Sequence, residues 1–312
     1  MKLNPKKAAF GRHETFYLRY GWLTKGFWKN LSFSINSEVP SDIFKSDDAV
    51  IELGVGKNMV ASIKYWLQAT QLLVPGENSL LIPTDIGIAL MGDESSPGWD
   101  AYMEDETTLW LLHWLIASNS SIATTFYWFF NRYHKTQFSQ DELRTALNDF
   151  IKENISANTS AGTIKNDISV LTRMYTSAEI EKKQSWDDVL DSPMSQLNLI
   201  EATANKEYKS LTSIKNTLNE AIVGFALAQI FETRQMTTIP VEELIYSQDG
   251  WVAIGAVFRT TESQTLALIE EAIRFIPGKF EINESAGIHQ VYKLDDVSPL
   301  EYLKQYFEGG DL

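Results

Sequence analysis

The chain has 312 residues, 44% of them hydrophobic and 12% aromatic, enough to bury a large core in two or three small units. It contains no Cys, which excludes a disulfide framework, a zinc–thiolate site and a cysteine nucleophile and suits a reducing cytoplasm. Asp and Glu number 41 against 27 Lys and Arg, a net charge of −14 that argues against a general nucleic-acid coat protein. The charge is unevenly placed. Residues 1–35 carry Lys2, Lys6, Lys7, Arg12, Arg19, Lys25 and Lys29 against Glu14 alone, a surplus of +6 that leaves −20 for the rest. One basic face and an acidic body follow, the body serving as solvated surface or as a dock for a basic protein.

Residues 10–31, FGRHETFYLRYGWLTKGFWKNL, interleave seven aromatic rings with Arg12, His13, Arg19, Lys25 and Lys29. Such a pattern can grip nucleic acid by stacking and phosphate contact. Equally, the rings can pack under a helical bundle with the cations on its rim. Residues 33–44 form a connection into the stretch around which the chain is organised, 47–74. There Asp47 and Asp48 open a short helix, Gly54 stops it, and a second helix begins near Lys57. This layout is a predicted helix-turn-helix, whose second helix would lie in the DNA major groove. That helix carries Lys57, Asn58 and Lys64 and has no acid from 57 to 73. The plain alternative is an αα-hairpin used for packing. A turn at 75–78 and a short strand at 80–83 would supply a wing.

A helix is predicted over 100–117, with Asp100, Glu104, Asp105 and Glu106 either charging its N-terminus or holding a metal. The apolar stretch 109–130 is broken by His113 and by polar residues 118–121. It predicts two buried helices, not a membrane span. No secretory signal is visible. A second unit runs over 122–178, with Ser139 and Glu142 placed as a capping box for a helix over 140–152. The next helix, 163–175, puts Ile164, Ile168, Leu171 and Tyr175 on one face. Lys165, Asn166 and Arg173 lie elsewhere, while Asp167 lowers its charge. Residues 181–210 are polar and predict a linker or wrapped loop. Helices over 211–231, 240–246 and 261–276 and a hairpin of 279–282 with 288–293 give a third helical unit. Its acidic helix suits protein contact or packing. The expected fold is mainly α with small β wings, as tandem winged-helix or helix-turn-helix-like domains over 1–118, 119–180 and 181–312.

The runs FGRHETFYLRYGWLTKG, DDAVIELGVGKNMVASIKYW, DETTLWLLHWLIAS and GTIKNDIS resemble an uncharacterised bacterial family encoded beside sulfur-transfer genes. That family includes SspB-type components of DNA phosphorothioation, and the resemblance runs from about residue 10 to 293. It implies a cytoplasmic protein that nicks DNA and works with a cysteine desulfurase, an ATPase and a sulfur-activating enzyme. No catalytic signature comes with it.

Candidate DNA-binding residues are Arg12, Arg19, Lys25, Lys57, Asn58, Lys64, Lys165, Asn166 and Arg173. His13 and Glu14, in the most basic stretch, are the candidate catalytic pair, since nicking needs proton transfer and phosphate charge stabilisation. Mg²⁺ or Mn²⁺ would serve if the chain nicks DNA, although no ligand set is assigned. Asp47, Asp48 and Glu52 could hold a metal, with capping the simpler role. His113 sits in an apolar run and is expected as a hydrogen-bonded core residue, His134 near a helix end, and His289 on a strand with no evident partner. Gly54-Val55-Gly56-Lys57 lacks the spacing of a phosphate-binding loop, so ATP binding is not expected. Three readings follow: a DNA-binding and DNA-nicking component, a non-catalytic adaptor recruiting the sulfur-transfer enzymes, or a transcriptional regulator.

Overall fold

A computed structural model describes residues 1–36, 42–93, 95–156, 159–177, 192–285 and 288–309. The architecture is mainly α with small antiparallel sheets. A large hydrophobic core runs from Leu18 and Phe27 near the start to Tyr302 and Leu303 near the end, with a small second cluster of Ala49, Leu53 and Val60.

The N-terminal part begins with α1 (Trp22–Asn36), α2 (Ala49–Leu53) and α3 (Lys57–Ala69), which pack on one another. Gly54 ends α2 with a φ of 57°, and its N–H returns to the carbonyls of Val50 and Ile51. A residue with a Cβ is strained in that left-handed conformation, which is why the turn takes glycine. Val60, Ile63 and Leu67 bury the inner face of α3, as their spacing predicts. The hairpin β1 (Leu73–Pro75) and β2 (Leu81–Pro83) follows, pairing Leu73 with Pro83, and α4 (Asp85–Met91) is capped by Thr84.

Helices α5 (Glu106–Ser118) and α6 (Thr124–Arg132) form the middle of the molecule. Every residue of α5 from Thr107 to Ser118 is buried, as expected for a helix apolar on all sides. The helix starts later than its acids suggest. Asp100 spends its carboxylate on the N–H groups of Glu104 and Asp105, closing a turn, and Asp105 is the N-cap. Next come β3 (Gln137–Ser139), α7 (Gln140–Asn154) with the predicted Ser139–Glu142 capping box, and α8 (Ala161–Tyr175), capped by Ser160.

Residues 181–191 of the expected linker lie outside the described residues; the remainder, 192–210, is structured. A 3-10 turn over Pro193–Leu197 is largely buried and packs on α5 and α8. Strands β4 (Glu201–Ala202) and β5 (Glu207–Lys209) then complete a sheet of order β3-β5-β4. Phe138 pairs with Tyr208, so this sheet crosses the boundary expected at 180.

The last part contains α9 (Glu220–Arg234), β6 (Thr238–Pro240), α10 (Val241–Ile245), α11 (Ile254–Phe258), α12 (Glu262–Phe275), β7 (Phe280–Ser285), β8 (Ile288–Lys293) and α13 (Pro299–Glu308). Its sheet order, β6-β8-β7, repeats that of the middle unit. Helix α9 starts nine residues after the predicted 211 because Asn219 caps it. No helix among the described residues is long and apolar enough to cross a membrane.

Candidate nucleic-acid interface

The N-terminal segment 9–20 runs between α3 and α8 and fastens to both. Asp167 of α8 is its anchor. Oδ1 accepts from the Gly11 N–H at 2.8 Å and from His13 Nε2 at 2.9 Å, while Oδ2 accepts from the Thr125 hydroxyl at 2.6 Å. Gly11 has a φ of 72°, and a Cβ there would stand 2.7 Å from Thr163 Cγ2, so the segment needs glycine to lie this close to α8. On the other side, Trp66 of α3 donates its indole N–H to the Phe16 carbonyl at 3.2 Å and stacks on the His13 ring. Tyr65 meets that ring edge-on, and burial together with the nearby Asp167 carboxylate pushes its hydroxyl well above the ordinary tyrosine range.

Threaded this way, the segment adds its cations to those of the two helices. Tyr17 is the meeting point: the Arg173 guanidinium lies 5.0 Å from its ring centre and Arg19 lies 5.7 Å away. Arg19 also lies over Phe16 and Trp22. These rings hold the guanidinium planes by cation–π attraction while leaving N–H groups for an anion. Arg12, Lys165, Asn166 and Arg173 are exposed. Lys57 and Asn58 are exposed at the start of α3, and Lys64 is half-buried with its ammonium 5.9 Å from the Phe44 ring. Lys25 of α1 stands beside the α2–α3 turn, its Nζ 3.4 Å from where a Gly54 Cβ would be. Lys29 pairs with Glu52 at 3.5 Å.

Two groups differ from the sequence reading. Asp167, counted there as a charge against DNA contact, is turned inwards and buried. His13 is 1% exposed, and both its ring nitrogens are engaged, because Nδ1 accepts the Thr15 N–H at 3.2 Å and Nε2 faces Asp167. Glu14, with a φ of 50°, is exposed, so the structure does not turn the expected catalytic pair toward one solvent-accessible point. The other histidines are dispersed. His113 is buried, donating from Nε2 to the Val257 carbonyl and accepting at Nδ1 from Tyr175, and burial pulls its pKa down to about 3. His289 lies across the β7–β8 hairpin from Glu284 at 3.9 Å. Among the described residues, no group of three or more His, Asp or Glu fits Mg²⁺ or Mn²⁺.

Sequence reasoning missed Tyr65, Trp66 and the anchoring role of Asp167. The interleaved rings and cations of 10–31 were the available signal, and they singled out Tyr17 and its segment without the partners on α3 and α8.

Over residues 10–307 the chain matches the family described as "Protein of unknown function (DUF4007)", and it belongs to that family. Its fold is shared with two solved structures. The magnesium ion-bound SspB crystal structure superposes with a TM-score of 0.81 at 25% identity, covering 98% of this chain and 89% of that one. A second SspB crystal structure gives 0.80 at 24% identity with the same coverage. The resemblance to SspB-type proteins therefore holds over the whole fold. No curated protein matches the chain.

Proposed function

We propose that this chain is the DNA-binding component of a bacterial DNA backbone phosphorothioation system. In this reading α3 and its hairpin, and α8 with the β3-β5-β4 sheet, act as winged-helix units on duplex DNA. The acidic remainder offers docking surface to the cysteine desulfurase, the ATPase and the sulfur-activating enzyme, in the cytoplasm. The observation that carries it is the basic N-terminal segment lying between the two acid-poor helices, which brings Arg19 and Arg173 together at Tyr17, with Arg12 exposed on the same segment. Kinship with SspB supplies the system.

Phosphate binding of this kind is salt-dependent, each neutralised phosphate contributing roughly one unit to the slope of log K against log salt. Fluorescence anisotropy on a labelled duplex across a salt series tests it. Lys57→Ala and Arg173→Ala should each flatten the slope by about one unit. A slope near zero in the wild type would remove the DNA reading.

Nicking is the finer step, and it is read out by conversion of supercoiled plasmid to open circles with Mg²⁺, Mn²⁺ or EDTA. The engaged state of His13 favours the non-catalytic adaptor over a nickase using that imidazole as base. Nicking lost in both His13→Gln and Glu14→Gln, with plasmid binding retained, would reverse that preference. Nicking that survives both substitutions would put the reaction on other residues. Tight binding to one duplex sequence alone would instead indicate a transcriptional regulator.

A further inference from the structure

A second polar site lies on the far side of α6. Arg259, which ends α11, is 8% exposed and has no ion pair among the described residues. Its Nη2 donates to the carbonyls of Phe129 and Tyr133 at 2.8 and 3.0 Å, and its guanidinium lies against the Phe129 and Phe130 rings. Nε is buried without an acceptor. Burial alone brings its pKa down to about 10. A buried cation with neither counter-ion nor full hydrogen bonding is costly, and a bound anion would offset that cost.

Arg259 lines a cavity of about 680 Å³, together with His134, Thr136, Ser210 and Thr212. That volume falls within the range of small-ligand sites. The carboxylate of Glu262 is also on the wall, but it is engaged by the Tyr246 hydroxyl. His134 is held toward its neutral form, chiefly by burial and then by Arg259 and Arg132, and can still donate one N–H. The cavity wall thus combines a guanidinium with the Thr136 and Thr212 hydroxyls and the His134 imidazole, donor types that match the oxygens of a tetrahedral oxyanion.

We propose that this cavity binds a phosphate group, with Arg259 as its charge partner and Thr136, Thr212 and His134 as rim donors. The site is separate from the α3–α8 face and does not depend on the DNA reading. The phosphate has two possible sources: a free anion, or the terminal phosphate of a nucleotide chain.

The test is calorimetric titration of the full chain at constant ionic strength with inorganic phosphate, and with one oligonucleotide carrying a 5′-phosphate or a 5′-hydroxyl. Thr136 and Thr212 are exposed, and neither hydroxyl makes a hydrogen bond among the described residues, so the Thr136→Val/Thr212→Val double variant should melt like the wild type. Saturable phosphate binding that this variant weakens about tenfold, as expected for two lost hydrogen bonds, supports the site and a free anion. If inorganic phosphate fails, tighter binding of the 5′-phosphorylated strand, lost in the double variant, supports the site and a strand end. Arg259→Lys keeps the charge without the planar fork and should weaken either interaction further. No saturable binding of either probe, or binding indifferent to the double variant, overturns the proposal.

Discussion

Replacing Asp167 by Ala removes the one acceptor that serves three donors from three places in the chain: Gly11, His13 and Thr125. His13 and Thr125 are 1% and 2% exposed, so water cannot readily replace the carboxylate at either. Each unmet buried donor costs about 1–3 kcal/mol, and the half-buried Gly11 N–H recovers part of its loss from solvent. The expected destabilisation is about 3–5 kcal/mol, a large fraction of the ~5–15 kcal/mol that holds a typical domain folded. Asp167→Asn should behave differently. Its amide oxygen can still accept from Gly11 and His13, and its NH₂ can donate to the Thr125 oxygen, so a loss of about 1–2 kcal/mol is expected. Urea titration followed by tryptophan fluorescence measures both, with Trp66 stacked on His13 as a nearby reporter. The Ala variant should also lose DNA affinity beyond any single cation, because it frees the segment carrying Arg12 and Arg19. An Ala variant within 1 kcal/mol of wild type, or Ala and Asn variants of equal stability, would refute the anchor.

Other outcomes follow from the same structure. His113 is neutral and buried with its pKa near 3, against about 6.5 unfolded, so only the unfolded chain gains this proton as pH falls below 6.5. Its contribution is complete above that pH, and about 2 kcal/mol should be lost by pH 5, a slope that His113→Gln removes in acid-titration melts. Gly224 of α9 faces the Tyr302 ring of α13, where an added Cβ would stand 2.1 Å away, so Gly224→Ala should cost about 1–3 kcal/mol by overpacking, measured by urea midpoint. Lys57→Ala and Arg173→Ala combined should reduce duplex affinity by the sum of their separate effects if one duplex touches both helices. A silent Arg173→Ala would confine DNA contact to α3.

Local signals carried most of the element boundaries. The Ser139–Glu142 box, the Gly54 stop and the His113 core position each depend on residues a few places apart, and the structure has all three. What failed was non-local or ambiguous chemistry. Asp100 looked like the start of α5 because an acid before an apolar run suits either a cap or a turn, and here it closes the turn. Strands β4 and β5 are two and three residues long, and β3, which pairs with β5, lies some seventy positions earlier, so 192–210 had no local periodicity to betray a sheet. Asp167 is the clearest case at the site. In the sequence it counts only as a charge on α8, and its inward turn is decided by donors 42 to 156 residues distant.

That inward turn bears on how a chain of net charge −14 would present a surface to DNA under the proposed function. Ions screen charges over about 8 Å at physiological salt, so the local balance outweighs the total. On α8 the one acid among Lys165, Asn166 and Arg173 is withdrawn into the protein and compensated there by N–H and O–H donors. On the α2–α3 side Glu52 is met by Lys29, while α3 carries no acid at all. The segment between them then contributes Arg12 and Arg19, the latter held over aromatic rings together with Arg173. On the proposed DNA reading, burying Asp167 under the segment that carries Arg12 and Arg19 takes the one acid of α8 away from the surface that would meet the phosphates.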